Sequence, residues 1–90
     1  PPTVESAEKE ARKALNRLRR AVEKGVRELD TLTGAVRHAE GEDFPAESYD
    51  EARQRLEAVL VFLEEEGRRL EAKVLETGGL EPGRIRRSST

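Results

Sequence analysis

Ninety residues make one small domain at most, and with 40% charged against 34% hydrophobic residues, one Tyr, two Phe and no Trp, any core is small and aliphatic. A net charge of −2 excludes polyanion binding by bulk charge, and the lack of Cys excludes disulfides, thiolate metal sites and thiol nucleophiles. No apolar run reaches the ~18 residues of a membrane span and no charged-then-apolar leader is visible, so we expect a soluble chain with no membrane partner, intracellular and cytoplasmic.

After Pro1 and Pro2, Thr3 suits an N-cap, and Glu5, Glu8 and Glu10 put negative charge where a helix dipole favours it. Val4, Ala7, Ala11, Ala14, Leu18, Val22, Gly25, Leu29, Leu32, Val36 and Ala39 recur at steps of three and four without a Pro. This spacing predicts a first helix over about 3–40, roughly 55 Å long. Gly41 can close it in a left-handed cap, and Pro45 disfavours helix at Phe44, so 41–47 reads as a turn, with Phe44 covering the hairpin end. Ser48 and Glu51 have capping-box spacing, with Asp43 as an earlier competing cap. A second helix over about 48–77 follows, its seam formed by Tyr49, Ala52, Leu56, Val59, Leu63, Gly67, Leu70 and Val74, and Gly78-Gly79 ends it.

Each seam contains an extra step of four, Leu18 to Val22 and Leu63 to Gly67, which reads as a stutter that unwinds a supercoil. Folded about Asp43, the two steps lie opposite each other, Gly25 faces Leu60 to Leu63, and Ala11 and Ala14 face Leu70, Val74 and Leu75. Small residues opposite large ones favour an antiparallel hairpin over one continuous rod. The expected fold is therefore all-α: a long, coiled-coil-like antiparallel helical hairpin over 1–79, completed to a four-helix bundle by dimerisation or a partner helix. A basic, flexible tail occupies 80–90, with Pro82-Gly83 as a turn signal.

The stretch Leu56 to Leu63 is apolar almost all round, interrupted only by Glu57. Leu56, Val59, Leu60 and Leu63 share one face and are assigned to the first helix; Ala58, Val61 and Phe62 fall toward the other, and Ala72 and Leu75 extend that side. Ala58, Val61, Phe62, Ala72 and Leu75 are the expected partner interface. Removing Phe62 and Val61 from water is worth about 3 to 5 kcal/mol before ordering costs.

Other candidates are weaker. His38 lies off the apolar stripe and alone builds no zinc site; Glu64, Glu65 and Glu66 fan out around a helix as a solvated acidic face. Ser6, Ser48, Ser88 and Ser89 have no base beside them, and no glycine-rich phosphate loop follows a strand, so we expect neither catalysis, nor cofactor, nor metal. In the tail, Arg84, Arg86 and Arg87 could touch the phosphates of an anionic partner, and Arg86-Arg87 ahead of Ser88-Ser89 has the form of a basophilic kinase acceptor.

Leu29-Asp30-Thr31-Leu32, the acidic loop with Phe44, and Leu56 through Phe62-Leu63-Glu64 resemble the last two helices of BAG-type Hsp70 co-chaperone domains. The resemblance covers about half the chain, lacks a separate preceding helix, and carries over no binding residue; it implies an Hsp70 co-chaperone module. The residues themselves point first to a non-enzymatic interaction and oligomerisation module, a homodimer or one bound to a helical protein. Nucleic-acid or acidic-surface binding through the Arg-rich tail on a dimeric frame is the alternative.

Overall fold

The computed structural model describes residues 3–76 and is all-helical over that range. It consists of α1 (Val4–Glu40), a 3₁₀ turn (Gly41–Asp43) and α2 (Ala46–Glu76), and α1 and α2 pack on each other as a hairpin. The whole tail, with Arg84, Arg86 and Arg87, the Gly78-Gly79 stop and the side chain of Val74 lie outside the described residues.

Local signals set the ends. Thr3 caps α1, its hydroxyl accepting from the Ser6 N–H at 3.0 Å. Gly41 closes α1 at φ 55, where a Cβ would be strained, and donates its N–H to the Arg37 carbonyl. α2 starts two residues before the expected Ser48. Pro45 has φ preset for a helix and no N–H to satisfy, so its carbonyl already accepts from the Tyr49 N–H at 3.3 Å. Ser48 thus sits inside the first turn rather than capping it. At this end the Arg37 guanidinium lies 4.7 Å from the centre of the Phe44 ring, which meets Tyr49 at 4.9 Å.

The seam between the helices differs from the expected one. In α1 the residues turned toward α2 are Leu15, Val22, Leu29 and Val36, every seventh residue, with Val26 and Thr33 beside them. In α2 they are Tyr49, Leu56, Leu63 and Leu70, again every seventh, with Arg53, Leu60 and Gly67 beside them. Both repeats run without interruption, so neither helix has a stutter. The expected steps of four arose from joining residues of two neighbouring rows. Leu18 and Leu32, placed in the seam by spacing, are 49% and 50% exposed, and Leu15 and Val26 take their places.

The close approach also falls elsewhere. No neighbour would lie within 4 Å of a methyl at Gly25, whereas a methyl at Gly67 would stand 3.8 Å from Leu15 Cδ2. Among the described residues only Leu63, 2% exposed, is sealed from solvent. Two helices bury one row each, and a row is covered from one direction only.

Candidate protein–protein interface

The hairpin has two unlike sides. On one, Asp30 of α1 and Arg53 of α2 form a two-pronged ion pair, Nε to Oδ1 at 2.8 Å and Nη2 to Oδ2 at 3.1 Å. The third nitrogen of Arg53 donates to Glu57 one turn along α2. The guanidinium holds the Asp30 carboxyl below its ordinary range, and the two carboxylates push Arg53 up. The same side carries two shallow troughs, of about 290 and 240 Å³, that share Arg19 and Glu64. Arg12, Asn16, Arg68 and Glu71 line the larger, and Arg12 Nη1 is enclosed there without a hydrogen-bond partner. Mixed charges and open mouths make this side a solvated rim rather than a ligand pocket.

The opposite side is apolar. Along α1 it carries a row at steps of three and four from Val4 to Ala39, through Ala7, Ala11, Ala14, Leu18, Ala21, Gly25, Leu32 and Ala35, broken only by Glu28. Val4, Leu18 and Leu32 are exposed on it. Along α2 the matching row holds Ala52, Val59 and Phe62, with Phe62 57% exposed, interrupted by Arg55 and followed by the Glu66–Arg69 ion pair. In an antiparallel pair the flank next to the seam on one helix adjoins the equivalent flank on the other, so both rows lie on one side of the hairpin.

The five residues expected as an interface are exposed, but they do not share a side. Phe62 lies with Val59 on the apolar side. Val61, 52% exposed, points about 100° away from Phe62 and lies with Leu75 on the outer back of α2, while Ala58 and Ala72 fall between the two directions. Sequence reasoning placed the uncovered surface on α2 and assigned the α1 row to the seam. The strict seven-residue recurrence from Leu15 to Val36 was the signal that separates the two rows.

His38, Glu64 and Glu65 are exposed, and Glu66 pairs with Arg69 at 2.7 Å, which lowers the Glu66 carboxyl and raises Arg69. Among the described residues no three His, Cys, Asp or Glu side chains converge to hold a metal, and no helix is long and apolar enough to cross a membrane. Of the residues that carry the BAG resemblance, Leu29, Leu56 and Leu63 are in the seam, Asp30 is held by Arg53, and Leu32 and Phe62 are exposed. Comparison with known proteins finds no matching family model, no matching curated protein and no matching solved structure.

The back of α1 is a third surface. Lys13, Arg17, Arg20, Lys24 and Arg27, all exposed, recur at steps of three and four and form a basic stripe about 20 Å long. Arg17 is braced by Glu10 at 3.4 Å.

Proposed function

We propose that this chain is a non-enzymatic association module: a helical hairpin that covers its second apolar side with another helical pair. One observation carries the reading. Among the described residues a single side chain, Leu63, is sealed, while Leu18, Leu32, Val59 and Phe62 stand open along one side. A helix pair of this length gains most of its stability from burial, and half of its apolar rows have nothing to bury against. Association through that side makes it one layer of a four-helix bundle.

Sedimentation of the whole chain tests this. Phe62→Glu is expected to weaken association about 100-fold, and Val61→Glu, on the outer back, to leave it intact. Assembly that is not weakened by Phe62→Glu, in a chain whose circular dichroism remains helical, removes the reading.

A second reading rests on the basic stripe of α1. A row of five cations spaced along one helix suits a polyanion backbone, and the tail arginines would add to it. Retention on a heparin or duplex column that falls steeply with salt supports this use; elution at low salt removes it.

A further inference from the structure

The apolar side can be covered by a partner helix or by a second copy of the hairpin, and the second copy can be seated with its turn at the same end or at the opposite end. Charge separates these arrangements. From Lys9 to Arg27, α1 carries eight basic side chains against Glu10 and Glu23, a net +6. The part of α2 at the same height, 56–74, carries five acidic side chains against Arg68, Arg69 and Lys73, a net −2. Seating α1 on α1 of a second copy puts the turns at opposite ends and sets this +6 stretch beside 17–35, a net +2; seating α1 on α2 sets it beside −2.

We propose that the apolar side is the interface of a homodimer whose two-fold axis runs parallel to the helices, so that α1 of each copy lies on α2 of its partner with both turns at one end. This rests on the association reading and names its partner. Such an axis leaves height unchanged, so the register between copies is the register already present within one hairpin. There, residues whose numbers add to about 83 stand level, as Leu15 with Gly67 and Asp30 with Arg53 do.

The rule has no adjustable parameter, and it makes definite pairs. Phe62 of one copy meets Ala21 of the other, with Leu18 and Gly25 a turn to either side, so the largest exposed side chain enters the row where α1 is smallest. Val59 meets the bare backbone of Gly25, which has nothing within 4 Å in the single hairpin. Glu28, the one charge that interrupts the α1 row, meets Arg55. Shape and charge fit at all three levels, and a foreign helix would have to reproduce both.

The test uses the full chain, which has no native Cys, carrying a spin label at Asp43→Cys in the turn, with sedimentation to report assembly. The proposal expects a dimer with labels about two helix spacings apart, roughly 20 Å, and a dissociation constant raised about 100-fold by Phe62→Glu, a loss in the hot-spot range. A dimer with labels roughly 55 Å apart, one helix length, overturns the axis while the association reading stands. A chain that stays monomeric at millimolar concentration overturns the second copy and leaves the apolar side to a foreign helix. Assembly unaffected by Phe62→Glu overturns both the proposal and the reading beneath it. Gly25→Leu is the independent check: it removes a helix-weakening glycine from open space, so it should raise the melting temperature of the dilute hairpin yet weaken the dimer by crowding Val59.

Discussion

Gly67 of α2 turns its bare backbone toward Leu15 of α1, leaving room for one methyl at 3.8 Å from Leu15 Cδ2. That distance is ordinary van der Waals contact, so Gly67→Ala should add packing and remove the conformational cost of a mid-helix glycine. The expected gain is about 1 kcal/mol. Gly67→Leu has no such room and should destabilise by pushing the helices apart. Urea melts followed by circular dichroism measure both, the chain having no Trp to report by fluorescence.

Leu63 is the sealed centre of the hairpin. Leu63→Ala should cost about 3 kcal/mol, within the usual 2 to 5 for a buried leucine, and in so thin a core this unfolds much of the population. Leu18→Ala, on the open side, should cost far less at concentrations where the chain is monomeric. Equal costs for the two would mean that the apolar sides have been assigned the wrong way round.

The Asp30–Arg53 pair ties α1 to α2 and gives a pH signature. Asp30 is lowered from its ordinary 3.8 by the Arg53 hydrogen bonds. Its contribution is therefore fully present above that ordinary value and is lost as pH falls through the lowered folded value. Glu66, lowered by Arg69, acts in the same direction. Stability should be flat near neutrality and fall in acid, and Asp30→Asn should lower the neutral plateau and flatten the fall. Melting temperatures of the two proteins between neutrality and strong acid check the sign. Asp30 is exposed and Glu66 half-buried but open to solvent, so added salt should shrink the effect.

Gly41 holds φ 55 where α1 ends. Gly41→Ala should cost about 1 kcal/mol through left-handed strain, whereas Gly34→Ala, in open space within α1, should stabilise by a similar amount. Parallel thermal melts distinguish a cap from a helical glycine.

The hairpin was legible in the sequence because its punctuation is local: Thr3 and Gly41 act through their own backbone, and each does in the structure what its residue type favours. The start of α2 was misread because Ser48 offers a cap while Pro45 offers a preset backbone, and the proline needs no partner to act. The seam was misread for a different reason. α1 carries two apolar rows one step apart, and steps of three and four pass from one to the other unnoticed at Leu18 and Val22. Which row turns inward is decided by the neighbouring helix, as where Leu15 stands against Gly67, not by α1 itself. The same ambiguity placed the open surface on α2, when most of it lies along α1 with Phe62 alongside.

The connection Gly41–Asp43 has a consequence for how the two helices find each other. A link this short keeps α2 beside α1 at an effective concentration of order millimolar or higher. A protease that cut once between Glu42 and Asp43, both exposed, would break no seam contact. It would nevertheless turn a unimolecular pairing into a bimolecular one. With one sealed leucine among the described residues to hold them, the halves of a single hairpin would drift apart and unwind at micromolar concentration.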